Sequence, residues 1–197
     1  EITSKACVEV TPLIRSAIRD IGYDDPCLGF DADNCAVLVA LGSQSPDIAQ
    51  GVDKSLEARQ GSGFDMATGA GDQGMMFGYA CSDTDEYMPL PIYLAHKLTR
   101  KLSAARRGGS LPWLRPDGKT QVTVEYDGDV PKRLEAIVVS AQHAPEASQQ
   151  EIRAALIEQI IRPTLPEGLV DGATRIYVNP TGRSRRSPRA FWERRRR

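Results

Sequence analysis

No stretch of the 197 residues approaches the roughly 18 consecutive apolar residues a membrane-crossing helix needs, so no membrane span is expected. The opening Glu1-Ile2-Thr3-Ser4-Lys5 has neither the basic nor the apolar region of a secretory signal. It also lacks a Met, which points to a start other than the native one. Cysteine is scarce. Cys7, Cys27, Cys35 and Cys81 form no CxxC pair and no zinc-type spacing, which removes a metal ribbon and a thioredoxin-like motif from consideration. They stand beside apolar residues and read as reduced thiols acting as small hydrophobes, which makes a cytoplasmic location the expectation. Only two histidines occur, His96 and His143, and no Asp, Ser or Cys stands at a spacing that implies a catalytic triad. A structural role is expected for both.

What is present fits a soluble globular chain: 41% apolar and 26% charged residues, in one large domain or two small ones. The net charge of -1 hides an asymmetry, because residues 184–197 hold seven Arg and one Glu. The body must therefore be acidic, near -7. Such a basic end reads as a solvated tail, and secondarily as an arm for a polyanion.

The residue pattern predicts its elements in order. Glu1 to Cys7 reads as the end of a strand. Thr11 is placed to cap a helix with Pro12 in its first turn, and Leu13, Ile14, Ala17, Ile18 and Ile21 form its apolar face up to Gly22. Cys35 to Leu41 is a near-continuous apolar run, as in a buried strand. From Gly42 to Gly74 small and polar residues dominate without clear periodicity, the texture of a functional loop or a disordered segment. Regular patterns then return: a strand at Met75 to Cys81, a helix over Pro89 to Arg107, strands at Gln121–Tyr126 and Leu134–Ala141 joined through Asp127-Gly128-Asp129. A helix capped by Ser148 with a stripe of Ile152, Leu156, Ile157 and Ile160 follows, then a strand at Thr174–Val178. The fold class expected is α+β, built of repeated split βαβ units (βαββαβ) with helices on one face of a sheet and the first repeat incomplete.

Gly69-Ala70-Gly71-Asp72-Gln73-Gly74 is the sharpest local feature. Three glycines in six residues let the backbone approach a ligand and present N–H groups to anions. The spacing is G-x-G-x-x-G, but it precedes a predicted strand instead of a helix, so the dinucleotide-binding context fails. On the residues alone, a tight structural turn explains it equally well.

This hexapeptide, with Met75-Met76-Phe77-Gly78-Tyr79-Ala80 after it, resembles the central signature of S-adenosylmethionine synthetases. The resemblance extends over residues 1–183 through Gly29-Phe30-Asp31, Gln44 to Asp53, Leu111 to Lys119 and Asn179-Pro180-Thr181-Gly182-Arg183. It implies attack of methionine sulfur on C5′ of ATP, with triphosphate expelled and hydrolysed to phosphate and pyrophosphate. It implies Mg2+ and K+ as cofactors, ATP and methionine as substrates, and a homo-oligomer (dimer or tetramer) with sites between two subunits. By the same resemblance Glu1 and Gln44 match methionine-contacting positions, and Gln44 to Lys54 a gating loop. Asp117, Gly118, Lys119 and Arg183 match ATP-binding positions. The chemistry of these residues agrees: Lys119 and Arg183 can neutralise phosphate oxygens, and a carboxylate can stabilise a sulfonium forming at sulfur.

The implied organisation is a remnant of an N-terminal domain at 1–46, a flexible gating loop at 47–68, a central domain at 69–183, and a tail without resemblance at 184–197. No counterpart of the family's His-Pro-Asp-Lys segment or of its downstream Gly-rich stretch is found in these residues, so no metal ligands are assigned. The expectation is an inactive, truncated fragment. Two other readings stand beside it: a non-catalytic partner of a full-length subunit, and a basic-tailed nucleic-acid-binding module. The last is disfavoured by the acidic body and the lack of clustered aromatics on the predicted strands.

Overall fold

The computed structural model describes residues 6–61, 75 and 77–182. They divide into two compact units, 6–15 with 36–61, 75 and 77–79, and 16–35 with 80–182.

In the second unit the longest helix, α4 (Leu90–Arg107), has Pro89 at its N-terminal boundary and a basic last turn before Gly108. Its Leu94, Leu98 and Leu102 recur at helical spacing and are buried. They pack on strands β1 (Leu114–Asp127) and β2 (Val130–His143), which pair antiparallel across a two-residue turn where Gly128 takes φ +59°. Glu135 is an extra residue in β2, so Leu134 and not Glu135 faces Val124. That irregularity keeps Val122, Leu134, Ile137, Val139 and Ala141 in the core.

Helix α5 (Gln149–Leu156) begins with a full capping box: Ser148 Oγ accepts from the Glu151 amide, and Glu151 accepts from the Ser148 amide. One wider π-type turn follows at Ile157–Ile161, closed by Arg162 N–H donating to the Ile157 carbonyl at 3.0 Å. The wider turn brings the adjacent Ile160 and Ile161 into the core together. Strand β3 (Arg175–Val178) then lies parallel and directly beside β2, giving the sheet order β1-β2-β3. The helices α4 and α5 share one core with this sheet, and the α+β class is borne out.

Helix α1 spans Val10–Ile21, one residue earlier than its predicted cap, so Thr11 lies inside it; Gly22 ends it at φ +111°. Three strand expectations fail. Residues 6 and 7, the only described part of the first, carry no regular structure. Cys35 to Leu41 is not a strand, and Leu38 is 96% exposed. The described residues of Met75 to Cys81 are not a strand either, with Phe77 87% exposed. An apolar run becomes a strand only where another backbone satisfies its amides, and among the described residues neither run has a paired neighbour. The expected β-α-β opening therefore reduces to a helix. The aperiodic stretch, in contrast, holds two short helices, α2 (Pro46–Asp53) and α3 (Leu56–Gln60). Ser45 before Pro46 supplies the start signal that apolar periodicity did not.

The outer sheet face is charged. Arg133 reaches Glu125, Glu135 and Asp171, and Arg175 pairs with Glu135. The Arg133 guanidinium holds the Asp171 carboxyl well below the usual carboxylate range, and the Thr174 hydroxyl adds to the effect.

Candidate functional site

At the start of β1 the ladder with β2 breaks: Leu114 faces His143 and Gly118 faces Ala141, leaving Arg115, Pro116 and Asp117 to span the interval opposite Gln142. The chain bulges there, and Asp117, Gly118 and Lys119 are exposed. Lys119 faces Ser140 across the resumed ladder.

On the helix side of this bulge lies a cleft of about 50 Å³. Its polar lining comes from Thr99, Ser103 and Arg106 of α4 and from Arg115 and Asp117 of β1. A second, larger cavity of about 360 Å³ is lined by Pro26, Gly29, Phe30, Asp31, Asn34 and Cys35. Arg106 is fixed by donating to the Ile21 carbonyl at 2.5 Å, and Arg107 donates to the Asp20 carbonyl at 3.0 Å. Two cations from the end of α4 thus meet the unsatisfied carbonyls at the end of α1.

Tyr23 follows this junction. Burial pushes its hydroxyl pKa up, the Asp117 carboxylate adds to the rise, and Arg106 opposes it. Tyr23 therefore stays protonated at neutral pH. Its ring meets Phe30 edge-on at 5.4 Å. Asp25 caps the short turn Pro26–Leu28 through the Cys27 amide, which holds its carboxyl low; Arg115 contributes less. Asp25 in turn pushes the Cys27 thiol up, so that cysteine is a poor nucleophile. All four cysteines are free thiols, but Cys7 and Cys27 are exposed instead of packed as small hydrophobes.

Of the residues singled out from sequence, Asp117 lies in the bulge, and Gly118 and Lys119 stand beside it where the ladder resumes. Gln44 is partly buried two residues before α2 and belongs to the first unit. Glu1, Gly69, Gly71, Asp72, Gln73, Gly74 and Arg183 lie outside the described residues. His96 is exposed on α4, and His143 is buried with Nδ1 2.9 Å from the Ala144 carbonyl. Sequence reasoning missed Thr99, Ser103 and Arg106. Their i, i+4, i+7 spacing on the polar side of α4 was the available signal, hidden because a basic last turn already satisfies the helix terminus. Among the described residues no three of His, Cys, Asp and Glu gather to hold a metal. No described helix is long and apolar enough to cross a membrane.

Residues 67–184 match the family described as S-adenosylmethionine synthetase, central domain. The S-adenosylmethionine synthase of Desulforudis audaxviator (strain MP104C) is 52% identical over 184 residues, covering 93% of this chain and 47% of that protein. The chain thus spans about half the length of the curated relative it matches. On the length of the family match and this identity, the chain belongs to the S-adenosylmethionine synthetase family.

Proposed function

We propose that this chain supplies the central-domain share of a methionine adenosyltransferase site. There methionine sulfur attacks C5′ of ATP, triphosphate leaves, and water cleaves it to phosphate and pyrophosphate. The observation that carries the reading is the bulge at residues 115–117. It presents Lys119 and Asp117 to solvent at the resumption of the ladder, and Lys119 has no ion-pair partner among the described residues. A lysine held on rigid backbone without a carboxylate is available to a phosphate oxygen. In this division of labour the region takes the polyphosphate end of ATP, and the base is held by other residues.

In this reading Asp117, Gly118, Lys119 and Arg183 contact ATP, and Glu1 and Gln44 contact methionine. Residues 69–74 belong to the ligand-binding part of a central domain at 69–183, and 47–68 gate the site. The working protein is a cytoplasmic homo-oligomer. The family's Mg2+ and K+ find no ligand cluster among the described residues, and no step is assigned to them here.

The test gives the 197-residue polypeptide ATP, methionine, Mg2+ and K+, and follows ATP binding by calorimetry and S-adenosylmethionine by mass spectrometry. Binding without product above background is expected, since the polypeptide carries part of the site. Product in multiple turnovers would overturn the partial-site reading, and absent ATP binding would overturn the site assignment.

A further inference from the structure

Strand β1 offers a different surface on each side of the sheet where its ladder resumes. A Cβ added at Gly118 would stand 3.6 Å from Leu102 Cδ1, so Gly118 looks toward α4. Thr120, two residues on, does the same and donates to the Ala95 carbonyl of α4 at 2.8 Å. Lys119 between them therefore projects from the opposite face and takes no part in lining the cleft on the helix side. That cleft has a chemistry of its own.

Its polar walls sort into donors and acceptors. Arg115 is half-buried, and its guanidinium has no ion-pair partner among the described residues. Asp25 acts on it only from a distance, since its own carboxylate accepts from the Cys27 amide. Arg106 commits one nitrogen to the Ile21 carbonyl and keeps its other N–H groups. Ser103 brings a hydroxyl. Thr99 differs, because its hydroxyl donates to the Ala95 and His96 carbonyls at 3.2 and 3.0 Å and has only lone pairs left. Asp117 adds an exposed carboxylate. Two guanidiniums against one carboxylate leave the lining net positive, and a partly desolvated guanidinium without a partner favours an anion beside it.

The mixture also selects among anions. An oxyanion without protons brings acceptors alone and is repelled by Asp117. Inorganic phosphate keeps at least one P–OH at neutral pH, and sulfate keeps none. The bare phosphate oxygens accept from Arg115, Arg106 and Ser103, while the P–OH donates to the Asp117 carboxylate or to Thr99 Oγ.

We propose that this cleft between the end of α4 and the start of β1 is a binding site for inorganic phosphate. Arg115 is its main cation, and Asp117 is the acceptor that tells hydrogen phosphate from sulfate. The site does not depend on whether Lys119 meets ATP.

The test titrates phosphate and sulfate into the 197-residue chain at neutral pH by calorimetry. Phosphate should bind at least about tenfold more tightly than sulfate, and Arg115→Ala should weaken it at least about tenfold, the scale of one charge-assisted contact. Ser103→Ala should weaken it about threefold, the scale of a neutral hydrogen bond. Lys119→Ala should leave phosphate affinity within about twofold, because that side chain lies on the other face. Sulfate binding as tight as phosphate, no phosphate binding, or unchanged affinity in Arg115→Ala would overturn the proposal. A loss confined to Lys119→Ala would move the phosphate to the outer face and overturn it too. If Arg115→Ala does not fold, Ser103→Ala decides: it changes an exposed helix position to the best helix former, and unchanged affinity there would contradict the site.

Discussion

Replacing Gly22 by Ala tests how the junction between α1 and α4 is built. Gly22 holds φ +111°, where a side chain is strained, and a Cβ there would stand 2.3 Å from Arg106 Nη1 and 2.9 Å from its Cζ. The guanidinium must retreat by about 1 Å to reach the 3.4 Å of ordinary contact. That movement breaks its bond to the Ile21 carbonyl. Backbone strain of this kind costs about 1–3 kcal/mol, and the lost bond about 1 kcal/mol. The sum is about 2–4 kcal/mol, or a fall of roughly 1–2 M in the urea midpoint at a slope near 2 kcal/mol/M. The double variant Gly22→Ala/Arg106→Ala removes the clash and retains the strain, with the Arg106 bond to the Ile21 carbonyl lost once instead of being counted in both single variants. It should therefore lose less than the two single losses combined. Strict additivity, or a Gly22→Ala chain within about 0.5 kcal/mol of wild type, would refute the reasoning.

Asp83 accepts from the Tyr126 hydroxyl at 2.6 Å and from the Leu90 amide at 3.1 Å, and these bonds, the hydroxyl first, hold its carboxyl below the ordinary value. Its contribution is complete above the unfolded carboxylate pKa of about 4 and is lost as pH falls through the lower folded value. Asp83→Asn should flatten the fall in urea midpoint below that pH, and an unchanged acid profile would contradict this. Ser148→Ala removes half of the capping box of α5 and should cost about 1 kcal/mol in the same assay. Leu98→Ala deletes a fully buried side chain at the centre of the core and should cost about 3–5 kcal/mol, with a loss under about 1 kcal/mol the contrary result.

Elements whose signals are local were legible in the sequence. The Pro89 boundary and basic end of α4, the Ser148 cap of α5 and the Asp127-Gly128-Asp129 hairpin each depend on residues within a few positions. Strands at Cys35–Leu41 and Met75–Cys81 were over-read, because an apolar run states a preference for burial and says nothing of whether a partner strand is there to pair. The helices at 46–60 were under-read for the opposite reason: Pro46 at a first turn is a start signal without an apolar stripe behind it. Within the site, Asp117, Gly118 and Lys119 came from resemblance. The bulge that exposes them is a property of the β1–β2 register, which no single segment encodes. Asn179 was visible only as part of a motif, since its buried side-chain amide is held by the Ala141 N–H and carbonyl, which only the folded sheet brings to it.

The exposed residues Asp117 to Lys119, at the bulge where the β1–β2 ladder resumes, are proposed to receive the polyphosphate end of ATP. Comparing ATP with AMP on the wild-type chain and on Lys119→Ala, by calorimetry under one buffer, tests it most directly. ATP should bind at least about tenfold more tightly than AMP to the wild type, through charge-assisted contacts to the additional phosphates. Lys119→Ala should shrink that ratio toward unity while leaving AMP affinity within about twofold. A ratio that survives the substitution, or a wild-type chain that binds ATP and AMP equally, would contradict the assignment.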